Sequence, residues 1–364
     1  MKVWFDFCEP KTVTMLRPLY NQIIKEHEVL LTARDFDATY PLLDTWNVPY
    51  YKVGTYGGRE LKDKLHSYVD RLQELLTIVE KEKPDFLFSL SSPEGIRISY
   101  GLKIPTIIFN DEPRSVGVCA LTVPFVNRVI VSATIPPEWY IKLGVEPKRL
   151  IRYNGIDEIA WLNRNEFKPN KEYLKTLNLD VDKYIVLRSE ATQAYAYLQQ
   201  RMNSHQTLLI EVIPQIQRYL IEKKKDCKLL LISRYDEQHE YLKQHFKADI
   251  ESGKLILKRN ISNLAHILYY AKMVISGGGT MVREAALLGI PSIEFIPSET
   301  YPQEKFLIEN NFPIVHVKEI SEIVEKTIYF LEKDLKKETW EKIEKLDNPI
   351  NIALALFNDR EHLD

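Results

Sequence analysis

The most distinctive stretch of the sequence is Gly277-Gly278-Gly279, because the chain has only 13 glycines among its 364 residues. An apolar strand pattern precedes these glycines, and a helical pattern that ends at Gly289 follows them. A glycine-rich turn leading into a helix leaves backbone N–H groups unpaired, and these groups together with the helix dipole favour a phosphate. Glu284, about one turn into the helix, can accept hydrogen bonds from both hydroxyls of a ribose. The stretch predicts a nucleotide site, although a tight turn beside a solvated glutamate gives the same pattern.

Two arginines and several carboxylates stand at or just past the ends of predicted strands, where the ligands of open α/β sheets bind. Arg188 follows one apolar strand, and Arg234 follows the next helix and strand. Guanidinium groups suit phosphate oxygens, so both are candidates for the nucleotide site, and each serves equally well as a surface charge. The acids at such positions in the first half are Asp6, Asp35, Glu94, Asp111 and Glu112.

Secondary-structure elements must bring these residues to the edge of a sheet. The sequence predicts such elements, because short apolar runs alternate with amphipathic segments along the chain. The strands predicted in the first half lie at residues 2–7, 28–32, 85–89, 104–109 and 128–131. After a polar linker at 163–182 the predicted strands lie at 184–187, 228–232, 255–257, 273–276 and 292–295. Such alternation is typical of parallel sheets covered on both faces. The sequence predicts an α/β fold of two doubly wound domains in tandem.

Length and composition agree with two ordinary globular domains. We expect a first domain at residues 1–165, a second at 180–330, and charged helices at 331–364. The 49 Lys and Arg residues nearly balance the 51 Asp and Glu residues, which disfavours a partner such as nucleic acid.

The cysteines and the apolar segments argue against several further classes of protein. Cys8, Cys119 and Cys227 form no CxxC pair, which disfavours a disulfide scaffold and a zinc site. The N-terminus lacks the apolar segment of a signal peptide, and the apolar stretch 116–126 is far shorter than a membrane span. We therefore expect a cytoplasmic protein with no transmembrane segment.

Several segments, in a fixed order over most of the chain, together resemble one protein family. They are Val3-Trp4-Phe5-Asp6 with Pro18-Leu19, residues 27–35, Gly57-Gly58, Ser92-Pro93-Glu94, Tyr153-Asn154-Gly155 and the triglycine segment. They resemble an uncharacterised archaeal and bacterial family of predicted glycosyltransferases, the domain of unknown function numbered 354. Its wider relatives are the GT-B fold glycosyltransferases and the UDP-N-acetylglucosamine 2-epimerases. The resemblance implies two Rossmann-like domains facing across a cleft, with the C-terminal helices packing back on the first.

The resemblance also implies that the second domain binds a nucleotide sugar, most simply a UDP-sugar. The donor nucleotide is expected on Arg188, Arg234, Asn260, Ile261, Ser276, Gly277, Gly278, Gly279, Thr280 and Glu284. Gln303 and Glu304 are expected on hydroxyls of the donor sugar. Catalysis in this fold relies on positioning and leaving-group stabilisation, so we expect no metal, and the nucleotide sugar is a substrate rather than a cofactor.

The first domain is expected to hold the acceptor. The family tends to have histidines in the loop after the first strand, whereas this chain has Thr12 and Thr14 there. His27 precedes a strand and His66 lies on a long charged helix, so neither suits a general base. The residues expected on the acceptor side are Thr12, Thr14, Arg34, Gly57, Gly58 and Arg114.

A catalytic base must then be a carboxylate or lie in the second domain. Asp111 and Glu112 follow a strongly apolar strand, and carboxylates in a partly dry cleft can serve as acid or base. A solvated turn would explain the same pair equally well. Glu94 and Asp6 are the next candidates.

The leading hypothesis is a metal-independent glycosyltransferase with an unknown acceptor, either a glycan or a lipid-linked molecule. The apolar stretch 116–126 is either part of the core or a surface for peripheral membrane contact. A 2-epimerase or hydrolase is the alternative, because Glu112 and Arg114 resemble an acid and an arginine of the epimerases. Against it, residues 188–192 lack the histidine of those enzymes. A sugar-nucleotide-binding protein without catalysis is the third hypothesis.

Overall fold

The computed structural model describes residues 1–58, 60–190, 192, 207–261, 263–296, 299–333 and 335–363. The chain forms two compact units. The first comprises Met1–Trp161 together with Leu346–Asp364, and the second comprises Leu162–Lys345. Each unit has its own parallel sheet, which confirms the prediction of two Rossmann-like α/β domains.

The first unit is built on a seven-stranded sheet with the order β3-β2-β1-β4-β5-β6-β7. Its strands are β1 (Lys2–Phe7), β2 (Glu28–Asp35), β3 (Tyr51–Thr55), β4 (Phe86–Ser89), β5 (Thr106–Phe109), β6 (Arg128–Ser132) and β7 (Leu150–Tyr153). Its first helices are α1 (Pro10–Ile23), α2 (Thr39–Asp44), α3 (Leu61–Glu82), α4 (Pro93–Gly101), α5 (Val116–Cys119) and α6 (Pro137–Ile141). Short 3₁₀ helices lie at Val123–Phe125, Pro147–Arg149 and Asp157–Ala160. The central strands β4 and β5 are buried along their whole length, as expected for a sheet covered on both faces.

The second unit is built on a six-stranded sheet with the order β10-β9-β8-β11-β12-β13. Its strands are β8 (Tyr184–Arg188), β9 (Lys228–Ile232), β10 (Leu255–Lys258), β11 (Met273–Ser276), β12 (Ser292–Glu294) and β13 (Ile314–His316). Its described helices are α7 (Glu172–Lys175), α8 (Leu209–Glu222), α9 (Asp236–His245), α10 (Lys247–Glu251), α11 (Leu264–Tyr269), α12 (Gly279–Leu287), α13 (Pro302–Glu309), α14 (Ile320–Glu332) and α15 (Trp340–Ile343).

The end of the chain returns to the first unit. Helix α16 (Pro349–Asn358) places the ring of Phe357 5.0 Å from that of Phe86 and 5.6 Å from that of Phe88. A 3₁₀ turn at Arg360–His362 follows it. The expected return of C-terminal helices to the first domain is confirmed, although α15 belongs to the second unit.

Both sheets have a switch point. Each sheet grows outward from its first strand in sequence, and at the switch point the next strand is added on the opposite side of that first strand. In the first sheet it lies between β1 and β4, and in the second it lies between β8 and β11. The carboxyl ends of the strands at a switch point form the crevice in which open α/β sheets bind ligands. Residues at these two edges are therefore the candidates for ligand binding.

Apolar runs in the sequence do not indicate three of the edge strands, which are β3, β7 and β13. The β3 sequence YKVGT buries only its central valine, and β7 and β13 are each only partly buried. An edge strand has one neighbour and needs fewer apolar side chains, so its sequence resembles a loop. Among the described residues, no helix is both long enough and apolar enough to cross a membrane.

Candidate functional site

The triglycine turn connects β11 to α12 at the switch point of the second sheet. The Gly277 N–H donates to the carbonyl oxygen of Arg188 at 3.1 Å, so the turn begins as an extension of the sheet. Ser276 Oγ accepts a hydrogen bond from the Gly278 N–H at 3.1 Å and donates to the Gly278 carbonyl at 3.0 Å. These bonds fix the backbone just before α12 begins.

Close neighbours explain why glycine occupies this turn. A Cβ atom on Gly277 would lie 2.7 Å from Glu190 Cγ and 2.9 Å from Glu190 Cα. A Cβ atom on Gly278 would lie 2.7 Å from Arg234 Nη2. Gly278 has an extended backbone with φ of −165°, so the close approach of Arg234, and not its backbone conformation, makes glycine suitable there. The turn therefore presents bare backbone directly to a guanidinium group.

A buried ion pair borders the first turn of α12. Arg283 Nη1 donates to Glu304 Oε1 at 2.7 Å, and the two side chains are 7% and 1% exposed. Arg283 Nη2 also lies 3.5 Å from Thr280 Oγ1. Burial raises the pKa of Glu304 to about 7, while Arg283 opposes this rise. Burial thus makes the Glu304 carboxyl group harder to ionise than an ordinary glutamate.

A second buried pair stands at the ends of the neighbouring strands. His316 Nδ1 lies 2.8 Å from Glu294 Oε2, and both side chains are less than a tenth exposed. A Cβ atom on Gly279 would lie 2.6 Å from Glu304 Oε1 and 3.3 Å from Glu294 Oε1. Two glutamates therefore pack against the backbone where α12 begins.

The other donor residues predicted from the sequence also lie at the carboxyl edge of the second sheet. Arg188 ends β8, and Arg234 follows β9, where its N–H donates to Gln238 Oε1 at 2.9 Å. Glu284 lies within α12 and is 9% exposed. Gln303 lies beside Glu304 in the first turn of α13 and is 2% exposed.

Asn260 and Ile261, the predicted base contacts, stand apart from this group. They follow β10, which lies three strands away from β11 in the sheet. Asn260 is exposed and Ile261 is half-buried.

The charge distribution at the glycine turn suits an anion. The first N–H groups of α12 carry partial positive charge, and Arg234 adds a full positive charge beside Gly278. The two glutamates near Gly279 have partners of their own, since Glu304 is paired with Arg283 and Glu294 is bonded to His316. Glu284 supplies an acceptor for hydroxyl groups farther along the helix. The arrangement can bind a phosphate group that carries a hydroxylated substituent.

A separate group of acids surrounds Lys11 at the carboxyl edge of the first sheet. Lys11 Nζ donates to Asp157 Oδ2 at 2.8 Å and also to Asp111 Oδ2. The Tyr153 hydroxyl donates to the other carboxylate oxygen of Asp157. Burial raises the pKa of Asp157, while Lys11 opposes the rise. Burial, with a smaller contribution from Asp111, also raises the pKa of Glu9. Groups of this kind can hold or transfer a proton.

Of this group, the sequence alone indicates Asp111 and does not indicate Lys11 or Asp157. Asp157 follows β7, an edge strand without a long apolar run, so the sequence does not show that a strand ends there. Lys11 is a single cation at the start of α1, and such a residue gives no pattern. The segment Tyr153-Asn154-Gly155, which forms part of the family resemblance, was the available signal.

Two further acids that the sequence suggests as catalytic, Asp6 and Glu94, lie in a buried ion cluster. Arg71 Nη2 donates to Asp6 Oδ1 at 2.6 Å, and Arg71 Nη1 donates to Glu94 Oε2 at 2.9 Å. Asp6 also accepts hydrogen bonds from the hydroxyls of Thr32 and Ser92. Arg71 and Asp6 are completely buried. The cluster ties α3 to β1 and α4, which favours a structural role for both acids.

Glu112 differs from its neighbour Asp111. Its two carboxylate oxygens accept hydrogen bonds from Arg114 Nε and Nη2, both at 2.7 Å. The Glu112 side chain is 42% exposed. The pair is local and partly solvated, whereas Asp111 is joined to buried groups from distant parts of the chain.

The remaining residues predicted for the acceptor side have varied surroundings. Arg34 Nη2 donates to the carbonyl oxygen of Cys8 at 3.0 Å, and Thr12 is buried in α1. Thr14 Oγ1 lies 3.4 Å from the carbonyl oxygen of Pro10. Gly58 has a φ of +71°, a left-handed conformation that favours glycine.

Gly57 is restricted by its neighbours, because a Cβ atom there would lie 2.5 Å from the backbone of Asp63 and of Lys64. In the part of the chain that the structure describes, no three His, Cys, Asp or Glu side chains are grouped as a metal ion would require.

Solved structures share this fold over the whole chain. UDP-GlcNAc 2-epimerase from Rickettsia bellii has a TM-score of 0.72 at 15% identity, covering 100% of this chain and 97% of that one. The Methanocaldococcus jannaschii UDP-GlcNAc 2-epimerase in complex with UDP-GlcNAc and UDP has a TM-score of 0.70 at 15% identity, covering 98% and 100%. Anabaena Alr3699/HepE in complex with UDP and glucose has a TM-score of 0.66 at 12% identity, covering 100% of both chains. These similarities confirm a fold of the GT-B type.

One relative has a higher sequence identity to this chain than these solved structures have. Uncharacterized protein MJ0665 from Methanocaldococcus jannaschii is 29% identical over 329 residues, which are 89% of this chain and 90% of the relative. The family model described as "Protein of unknown function (DUF354)" matches residues 1–360. The chain therefore belongs to the DUF354 family.

Proposed function

We propose that the protein is an enzyme that uses a nucleotide sugar, most simply a UDP-sugar, and transfers the sugar to an acceptor. The observation that carries the proposal is the glycine turn at the switch point of the second sheet, with Arg234 against Gly278 and Glu284 in the following helix. Structures of the same fold include complexes with UDP, with UDP-GlcNAc and with UDP and glucose.

In this proposal the second unit stabilises the leaving group. The N–H groups at the start of α12 and the guanidinium of Arg234 lie where negative charge develops on the departing nucleoside diphosphate. Glu284 holds the ribose, and Gln303 with Glu304 contacts the sugar. The backbone of the turn is fixed before the donor arrives, because Ser276 Oγ bonds both the N–H and the carbonyl of Gly278.

The first unit supplies proton transfer in the same proposal. Asp111 has a side chain that is 21% exposed, while its partner Lys11 is also bonded to the buried Asp157. Asp111 is therefore positioned to accept a proton from an acceptor hydroxyl, and Lys11 holds it in place.

The acceptor in this proposal is a glycan or a lipid-linked molecule. The stretch 116–126 contributes the exposed side chains of Val116, Val118 and Leu121, which supports a lipid-linked acceptor. Co-sedimentation with vesicles that contain anionic phospholipid tests this choice, because a glycan acceptor requires no affinity for vesicles.

A 2-epimerase acting on a UDP-sugar is the second candidate, favoured by the UDP-GlcNAc 2-epimerases among the structures of the same fold. The two reactions differ in their need for an acceptor. An epimerase inverts the sugar at C2 with no acceptor present, whereas a transferase releases free UDP and a glycosylated product. Analysis of the nucleotide sugar after incubation with UDP-GlcNAc alone separates them.

Binding is the first experiment, because both candidates require it. The melting temperature is measured with UDP-, GDP-, ADP- and dTDP-sugars, and a ligand at a hundred times its Kd should add about 2.7 kcal/mol to the unfolding free energy. A shift with UDP-sugars in the wild type that is clearly smaller in Glu284→Ala supports the proposal. If no nucleotide sugar shifts the melting temperature, the proposal is wrong.

A further inference from the structure

Helix α3 has an apolar stripe that the other described residues of the chain leave largely exposed. The helix has 22 residues, and its inward face buries Leu75, Val79 and the side chain of Arg71. Beside this face, Leu65 is 61% exposed, Val69 is 51% exposed and Leu76 is 36% exposed. At the start of the helix Leu61 is 82% exposed. A single exposed leucine is ordinary, but a row of them along one helix indicates a surface that another molecule covers.

The spacing of the stripe is that of a helix pair. Leu65, Val69, Leu72 and Leu76 are separated by four, three and four residues, so they fall on one side of the helix. Of these four side chains, Leu72 is half-buried and the other three are exposed. An average spacing near 3.5 residues is the pattern of the seam between two packed helices. The occupant that this spacing fits is therefore another α-helix.

The order of the spacings identifies that second helix. The spacings between successive residues of the stripe are four, three and four, and this order is the same in both directions along the helix. The stripe is therefore symmetric about a point between residues 70 and 71. A two-fold axis through that point makes an antiparallel pair of identical helices. It sets Leu65 opposite Leu76 of a second copy and Val69 opposite Leu72. A two-fold interface requires this self-complementarity, in which residue i meets j and j meets i.

Charges along the border of the stripe agree with the antiparallel direction. Lys62 and Glu80 are both exposed, and at 100° per residue both lie on the same border of the stripe. Two antiparallel helices related by a two-fold axis bring the same border of each together. Lys62 of each copy therefore meets Glu80 of the other, which gives two ion pairs that set the register.

We propose that α3 pairs with α3 of a second copy of this chain in an antiparallel two-fold interface. The proposal is independent of the proposed function, because α3 carries none of the residues assigned to donor or acceptor. Its outward face is occupied by a helix of this protein and not by a membrane or by an unrelated partner.

Sedimentation and light scattering of the full chain test the assembly. The chain mass is 42.7 kDa, and the wild type is expected at twice that mass. Val69→Glu places a charge at the centre of the seam and should give a monomer with an unchanged far-UV circular dichroism spectrum. Thr77→Glu is the matched control on the same helix, outside the stripe, and should stay dimeric. A monomeric wild type, or a dimeric Val69→Glu, overturns the proposal.

Two further variants test the direction of the pair. Lys62→Glu and Glu80→Lys should each raise the dimer Kd about 2- to 30-fold, and the double variant should return it to the wild-type value. On oxidation, Leu65→Cys with Leu76→Cys should form a cross-linked dimer, whereas Leu65→Cys alone should not. Cross-linking by Leu65→Cys alone contradicts the antiparallel pair. A monomer that binds anionic vesicles through Val69 would identify the stripe as a membrane surface and overturn the proposal.

Discussion

Lys11 Nζ lies 2.8 Å from Asp157 Oδ2, and the Asp157 side chain is only 3% exposed. The same ammonium group also binds Asp111, whose side chain is 21% exposed. One lysine therefore joins a buried acid to an acid that a substrate can reach. This relationship distinguishes Asp111 from the other carboxylates of the first unit.

The first prediction concerns proton transfer by Asp111. Asp111→Asn keeps the shape of the side chain and removes its ability to take a proton, so turnover should fall about a hundredfold or more. The affinity for UDP should stay unchanged, because the nucleotide is assigned to the second unit. Turnover is measured as UDP release with the acceptor.

Glu112→Gln is the control for Asp111→Asn, because Glu112 is the adjacent acid and pairs with the local Arg114, whereas Asp111 shares Lys11 with the buried Asp157. We expect it to affect turnover far less. If Asp111→Asn turns over like the wild type, the base lies elsewhere in the protein.

The second prediction concerns Glu284. Loss of hydrogen bonds to an ionised acceptor costs about 1.5 to 3 kcal/mol, so Glu284→Ala should weaken UDP binding about 10- to 150-fold in a calorimetric titration. Binding of pyrophosphate, which has no ribose, should change much less. Glu222→Ala, an exposed acid at the end of α8, is the control and should bind UDP normally. Unchanged UDP affinity in Glu284→Ala would remove this residue from the site.

The third prediction compares two adjacent glycines. A methyl group on Gly277 meets the Cα and Cγ atoms of Glu190, so Gly277→Ala should lower the unfolding free energy by about 1 to 3 kcal/mol. A methyl group on Gly278 meets only the end of the Arg234 side chain, which can move. Gly278→Ala should therefore leave stability nearly unchanged and weaken UDP binding. Urea unfolding and UDP titration of both variants provide the measurements.

Gly101→Ala is the reference for this pair, because no atom lies within 4 Å of its new methyl group. Because Gly101 is the last residue of helix α4, this change should leave UDP binding unaltered and raise the unfolding free energy by about 0.4 to 1 kcal/mol. Equal loss of stability in Gly277→Ala and Gly278→Ala would contradict the assignment of Arg234 to the turn.

The fourth prediction concerns the pH dependence of stability. Burial raises the pKa of Glu304 from 4.5 to about 7, so the folded protein holds this proton more tightly than the unfolded chain. The resulting stabilisation is complete below pH 4.5 and is lost as the pH rises through 7. The unfolding free energy of the wild type minus that of Glu304→Gln should fall by roughly 3 kcal/mol over this interval. A difference that stays constant between pH 4.5 and 7.5 would disprove the assignment.

The fifth prediction concerns the buried cluster around Arg71. Arg71→Met leaves the carboxylates of Asp6 and Glu94 buried without their cation, so the unfolding free energy should fall by about 3 to 5 kcal/mol. Lys81→Met removes an exposed charge from the same helix and should change stability by less than about 0.5 kcal/mol. Equal stability of the two variants in urea would show that the cluster does not hold α3 in place.

The sequence by itself determined the parts of this protein that depend on neighbouring residues. Central strands such as β4 and β5 are recognisable because both of their faces are buried and nearly every side chain is apolar. The triglycine turn is recognisable because three glycines in a row are rare in a chain with so few. Both features are local, so a single stretch of sequence contains the information.

Only the tertiary structure decided which acids are paired and with what. Asp6 binds an arginine 65 positions away, and Lys11 binds an aspartate 146 positions away. No local sequence pattern indicates such a partner, because the two residues are far apart in sequence and come into contact only in the folded chain. The acids at or just past the ends of β1, β4 and β5 look equivalent in sequence. They differ because burial and a distant cation lock Asp6 and Glu94 into the core, whereas Asp111 stays within reach of solvent.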